Sequence, residues 1–171
     1  MSALYAVLAF VLVERCSELV YARRNTLALL ARGAREVAPE QYPWFILLHA
    51  GWLAAMLFFI PRGTPPNVLL LAAFFVLQVG RAWVLMTLGP YWTTRIITLP
   101  YAPLVQRGPY RFVRHPNYLV VALEIALLPL AFGAWPIALS FTIANTLLLA
   151  LRIRAEDRAL ATRVTVPAES R

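Results

Sequence analysis

The chain has 171 residues, of which 61% are hydrophobic and 14% charged, and its formal net charge of +8 comes from 16 basic residues that are all arginine. The apolar residues arrive in long blocks, which argues against a soluble globular domain and for a bilayer as solvent. The arginines lie scattered in short connecting segments without a basic face or reading motif, so no nucleic-acid partner is expected, and one cysteine (Cys16) with two histidines (His49 and His115) leaves no set for a metal.

Five blocks are long enough, or nearly so, to cross a hydrocarbon core of about 30 Å: residues 3–21, 44–60, 68–88, 118–132 and 137–151. The expected fold is all-α, a polytopic integral membrane protein of about five transmembrane helices. It forms one domain over 1–163, followed by a disordered tail over 164–171. The first block does not read as a cleaved signal peptide, because its positive charges, Arg23 and Arg24, come after it. The last two blocks are short and meet at Phe132-Gly133-Ala134-Trp135-Pro136, where Gly and Pro supply a turn, so they form a helical hairpin.

Arginine placement sets the orientation. Arg23, Arg24, Arg32 and Arg35 follow the first block, and Arg95, Arg107, Arg111 and Arg114 follow the third. Arg152, Arg154, Arg158, Arg163 and Arg171 lie at or beyond the end of the fifth, whereas only Arg62 separates the second from the third. Positive-inside bias then puts the N-terminus outside and the C-terminus in the cytoplasm. Within the blocks stand Glu14, Arg15, Glu18, His49, Arg81 and Glu124. Charges buried in a membrane cost several kcal/mol unless paired or wet. The first three therefore read as a structural ion cluster, with Arg15 and Glu18 at i,i+3. Glu124 is either the partner of Arg81 or a residue of a cavity wall. His49 reads first as a hydrogen-bonded interhelical histidine and second as a contact to substrate.

The connection 89–117 is rich in Pro, Gly, aromatics and Arg and ends in Arg107-Gly108-Pro109-Tyr110-Arg111-Phe112-Val113-Arg114-His115-Pro116-Asn117. Loops of this length in a compact domain more often carry function than merely connect. An interfacial segment facing lipid headgroups is the plainer alternative. In the fifth block Thr142, Asn145, Leu149, Arg152 and Glu156 recur at helical spacing, a polar stripe on one face. Arg152 precedes Glu156 at i,i+4, the less favourable order for direct support, so a third group between or beside the two side chains is expected. On the fourth block Asn117 and Glu124 share a face. Two such stripes opening onto an Arg/His/Tyr loop suggest a pocket half in lipid and half in cytosol.

The run Gly108-Pro109-Tyr110-Arg111-Phe112-Val113-Arg114-His115-Pro116-Asn117-Tyr118, followed by Arg152-x-x-x-Glu156-Asp157, resembles the isoprenylcysteine carboxyl methyltransferase family. The strong match covers 89–160. Earlier features (Glu18-Leu19, Arg24-Asn25, Gly33, Tyr42-Pro43, His49) are similar to a bacterial branch in which some members act on alkylpyrones. The resemblance implies an integral membrane enzyme that uses S-adenosylmethionine without a Rossmann domain, with its cofactor site on the cytoplasmic side under the last hairpin. The chain departs from the pattern at Val120, where the family often has Gly, and at Asp157, where a second Glu is usual.

On that resemblance, His115, Pro116, Tyr118 and the backbone around Arg114 hold the cofactor, with Glu156 and Asp157 on its ribose hydroxyls or ammonium and Tyr110 or another aromatic facing the sulfonium. Arg152, or else Arg114, positions an anionic acceptor by bidentate bonds. A carboxylate or acidic enolate is ionised at pH 7 and needs no strong base, so the protein's part is orientation in a water-poor site. The expected partners are a lipophilic or prenylated acceptor and membrane lipids, with the oligomeric state left open. Two rival readings remain. Phospholipid N-methylation would require a base, for which Glu124 or His49 could serve; a non-catalytic scaffold or transporter would not bind S-adenosylmethionine.

Overall fold

The computed structural model describes residues 2–100 and 105–164, with 160–164 described by backbone alone. The fold is mostly helical, with helices α1 (Ala3–Ala31), α2 (Tyr42–Phe59), α3 (Val68–Leu88), α4 (Pro116–Ala131) and α5 (Trp135–Val164). Three helical segments are long and apolar enough to cross a membrane: Pro39–Phe59, Val68–Tyr91 and Trp135–Ala159. The α4 helix is apolar but shorter, and α1, at 29 residues, is interrupted by Glu14, Arg15 and Glu18. Polarity is arranged as a bilayer demands. Phe58, Phe59, Val68, Leu69, Val76 and Met86 are exposed, while Glu18, Asn25, Gln78, Arg81, Glu124, Asn145 and Arg152 are buried.

Two helices outrun the sequence-based expectation. Residues 3–21 were the expected extent of the first, yet α1 continues to Ala31; residues 137–151 were the expected extent of the last, yet α5 spans Trp135–Val164. Hydropathy ends where arginines begin, but Ala, Leu, Arg and Glu are strong helix formers, so both helices continue past the apolar stretch. Beyond residue 164 the expected tail over 164–171 lies outside the described residues.

The all-α expectation also omits a small sheet. Strands β1 (Arg35–Val37) and β2 (Ile96–Thr98) pair antiparallel, Arg35 opposite Thr98 and Val37 opposite Ile96. Gly33, at φ +87°, turns the chain out of α1, and Ala34 N–H donates back to Leu29 O at 3.1 Å. Arg95, next to β2, donates through Nη1 to both oxygens of Glu36 at 2.9 Å and lies 4.4 Å over the Tyr42 ring. The sheet thus ties the start of α2 to the loop after α3.

Most of the apolar core, with Leu4, Trp52, Met56, Phe74, Ile125 and Leu128, packs all of α1 to α4 together. Pro129 inside α4 has no N–H, which orphans the carbonyl of Ile125 four residues earlier. Trp52 Nε1 donates to that carbonyl at 3.2 Å, so a proline defect becomes an interhelical bond. At the same end Asn67 caps α3 by accepting from Leu69 N–H and Leu70 N–H, and its own N–H donates to Ala131 O at 2.7 Å. The α4–α5 turn closes through Gly133 at φ +71°.

At the opposite end Gly108 starts the 3-10 turn Gly108–Arg111 at φ +57°, and a Cβ there would meet Thr87 Oγ1 at 2.6 Å. Left-handed backbone alone costs an L-residue about 1–2 kcal/mol. Gly108→Ala is therefore expected to lose at least about that much stability, read as a lowered unfolding midpoint in detergent, because the turn must also shift off α3.

Candidate active site

The site is assembled at the end where α1, α3 and α5 finish and α2 and α4 begin. Pro116 stands at the first position of α4, where its missing N–H costs nothing, and it is buried, which leaves His115 ahead of it free to turn inward. The His115 and Tyr118 rings stack at 5.2 Å with an interplanar angle of 12°. Because α5 continues past the apolar stretch, Arg152 and Glu156 reach the same level. Tyr118 is the third group between them: its hydroxyl donates to Glu156 Oε2 at 2.5 Å and accepts from Arg152 Nε at 2.9 Å. His115 approaches both acidic side chains, Nδ1 at 3.6 Å from Glu156 Oε2 and Nε2 at 3.5 Å from Asp157 Oδ1.

Arg152 is buried and largely committed. Its Nη2 donates to Thr94 O at 2.9 Å, and the guanidinium lies 5.1 Å over the Phe45 ring and 5.7 Å over that of Tyr118. Arg114 is exposed and has neither hydrogen bond nor ion pair among the described residues. Of the two arginines expected to bind an anion, Arg152 organises the site and Arg114 is open to a ligand.

A cavity of about 1100 Å³ runs through this end of the molecule. Tyr110, Arg114, His115, Asn117, Tyr118, Arg152, Glu156 and Asp157 line its polar part, and Leu12, Leu19, Ile46, Leu53 and Val121 its apolar part. Burial and the Glu156 carboxylate push the Tyr110 phenol well above its usual range, so it is a neutral donor there. Asn117 Oδ1 is buried without a partner among the described residues. Pro116 and Val120 are buried but off the wall, so the departure from the family's Gly at Val120 faces packing rather than the cavity. The α5 stripe divides likewise: Leu149, Arg152 and Glu156 reach the cavity, whereas Thr142 and Asn145 do not.

Glu124 is 2% exposed and lies behind the wall in an ion cluster. It accepts from Arg15 Nη2 at 2.7 Å, Arg81 Nη1 at 3.2 Å and Gln78 Nε2 at 2.9 Å. Glu18 accepts from Arg15 Nη1 at 2.9 Å and from Arg81 Nε and Nη2, and Glu14 stands 3.8 Å from Arg15. The expected local cluster is thus extended across α1, α3 and α4. Arg15, Glu18 and Arg81 form part of the cavity wall, as does His49, whose Nδ1 bonds Phe45 O at 2.7 Å. Tyr42, Phe45, Thr94 and Arg95 also line it. Sequence reasoning missed these four as site residues, although Phe45 and His49 share a helix face at i,i+4.

A model of the isoprenylcysteine carboxyl methyltransferase (ICMT) family matches residues 68–162. The chain belongs to this family. Family membership makes it a membrane methyltransferase, and the match spans α3 to α5 with every site residue those helices and their connections supply. The chain is also 37% identical over 160 residues to the uncharacterized protein YpbQ of Bacillus subtilis (strain 168), covering 91% of this chain and 95% of that protein. That similarity extends to α1 and α2, which the family model leaves out. No solved structure gives a significant match.

Proposed function

We infer that the chain transfers a methyl group from S-adenosylmethionine to an oxygen, carboxylate or acidic hydroxyl, on a lipophilic acceptor. The observation that carries this reading is one continuous cavity that is polar around Tyr110, His115, Tyr118, Glu156 and Asp157 and apolar at Leu12, Leu19, Ile46, Leu53 and Val121. Its donor set fits the cofactor. Glu156 and Asp157 suit an ammonium or a ribose diol, Arg114 a carboxylate, and the orphaned Asn117 Oδ1 an amino group. The stacked His115 and Tyr118 rings and the neutral Tyr110 offer aromatic faces to a cation. Bound there, S-adenosylmethionine supplies an electrophilic methyl group on a sulfonium.

The apolar part suits the acceptor's tail. Outside the ion cluster and the Arg95–Glu36 pair, the wall carries Arg111, Arg114 and Arg152 against Glu156 and Asp157, a small excess of positive charge that favours an oxygen acceptor over a cationic amine. Product analysis with labelled methyl groups on prenylcysteine, hydroxyl and phosphatidylethanolamine acceptors separates those classes. The arginine distribution supports a site facing the cytoplasm.

Calorimetry on the solubilised protein tests the cofactor directly. Saturable S-adenosylmethionine binding by wild type and its loss in Glu156→Ala are expected. A well-folded protein that binds none, in detergent or in nanodiscs with acceptor present, would rule the reading out.

A further inference from the structure

We propose that Glu36, which stands off the cavity wall, is a positioning residue that holds Arg152, Tyr118 and Glu156 in the geometry that binds the cofactor. The role assigned to it rests on the methyl-transfer reading above. Glu36 belongs to β1, ahead of the residues that the family model matches. In the register of the sheet it stands opposite Ile97, so Arg95, two residues before Ile97, is its diagonal neighbour on the same face. Arg95 Nη1 donates to both Glu36 oxygens at 2.9 Å, and the guanidinium lies 4.4 Å over the Tyr42 ring. A half-exposed arginine is thus held at two points. Unlike Glu36, Arg95 and Tyr42 line the cavity.

The link from this pair to the site is one peptide plane. Thr94 and Arg95 precede β2 and form no regular element, so the Thr94 carbonyl has no strand partner and is taken by Arg152 Nη2 at 2.9 Å. That carbonyl and the N–H of Arg95 belong to the same planar group. Any turn of the Arg95 backbone therefore swings the acceptor that Arg152 uses. The Thr94 side chain restrains the plane little, because its Oγ1 is 3.4 Å from the Tyr42 hydroxyl, too long for a strong bond. The ladder fixes the chain after Arg95, with Val37 opposite Ile96, and the Glu36 pair fixes Arg95 itself. From Thr94 the restraint continues through Arg152 Nε to the Tyr118 hydroxyl and on to Glu156. Without Glu36 the peptide is free to turn, and Arg152 loses one of its two hydrogen bonds. Tyr118 and Glu156 then lose the fixed guanidinium against which they are set. A pair that only joined two strands would leave Arg152 unchanged when removed.

The test uses the full chain in detergent, first without cofactor and with isotope-labelled arginine for nuclear magnetic resonance. The Nε–H resonance of Arg152, assigned by its loss in Arg152→Lys, should move in Glu36→Thr, a good strand former too short to reach Arg95. Those of Arg15 and Arg81, in the ion cluster, should stay. S-adenosylmethionine affinity, read by calorimetry, should fall about 3–10-fold in Glu36→Thr, within the range for residues that act on a site without touching its ligand. In an Arg152→Lys background the link to Thr94 is already cut, and the same substitution should cost less than about twofold. Arg95→Gln breaks the pair from the other side and should move the Arg152 resonance likewise. An unmoved resonance, an unchanged affinity, or an equal fall in the Arg152→Lys background would overturn the proposal. So would loss of folding in both Glu36→Thr and Arg95→Gln, which assigns the pair to structure. Calorimetry on wild type separates the two readings: cofactor binding with an unmoved resonance removes Glu36 and leaves the methyltransferase, whereas no cofactor binding removes both.

Discussion

Arg81→Met should lower the folding stability by about 3–5 kcal/mol, the range for removing one partner of a buried ion pair. Arg81 is 5% exposed and donates to Glu18 through two nitrogens and to Glu124 through a third. Without it, three carboxylates share the single guanidinium of Arg15, and two of them, Glu18 and Glu124, are buried. The loss is large against the 5–15 kcal/mol or so that holds a typical domain together. The penalty comes from stranded charge rather than lost attraction, so removing a carboxylate as well should restore most of it. Arg81→Met with Glu18→Leu is expected to recover more than half of the loss, because apolar residues of similar volume often replace buried pairs at little cost. Unfolding of the three proteins in mixed micelles by increasing denaturing detergent measures this. A double variant as weak as the single one would mean that Arg81 acts through packing of its stem instead.

The cluster also explains how helices with so many charges remain inside a bilayer protein. Arg15, Glu18, Arg81 and Glu124 come from α1, α3 and α4, and each charge finds opposite charge on another helix. Arg15, Glu18 and Arg81 at the same time form cavity wall, so packing of the bundle and shape of the cavity are fixed by the same bonds.

Much of this was legible from residue patterning because a bilayer imposes a simple rule, that long apolar blocks become helices. The α3 helix starts and stops where its apolar block does, at Val68 and Leu88. Patterning failed where the rule stops applying. Residues 22–31 and 152–164 are too charged to read as spans, yet they form helix and carry Asn25 and Glu156 to their places. Asn25 Nδ2 donates to Gly89 O at 3.0 Å and Trp92 O at 2.8 Å, a long-range bond that no local pattern announces. The pairing of Arg35–Val37 with Ile96–Thr98 joins segments far apart in sequence, and three-residue strands give too little alternation to detect. In the site, the spacing of Arg152 and Glu156 called for a third group, and Tyr118 fills that place. That Arg152 would be occupied by Thr94 O was invisible, because a backbone carbonyl carries no residue identity.

Tyr118→Phe isolates what that third group contributes. The substitution removes one oxygen and keeps the ring, so the stack on His115 and the face presented to Arg152 persist. Lost are the bond donated to Glu156 at 2.5 Å and the bond accepted from Arg152 Nε at 2.9 Å. Hydrogen bonds to charged groups contribute about 1.5–3 kcal/mol each. Freed from Tyr118, the Glu156 carboxylate can swing toward His115, 3.6 Å away, and away from whatever it holds in the cavity. S-adenosylmethionine affinity should therefore fall about 10–100-fold, the equivalent of one such bond. The effect acts through Glu156, so Tyr118→Phe combined with Glu156→Gln should bind little more weakly than Glu156→Gln alone, a large positive coupling in a double-mutant cycle. Additive losses would mean that the Tyr118 hydroxyl contacts the cofactor itself, and Glu156 would then be its neighbour rather than its dependant.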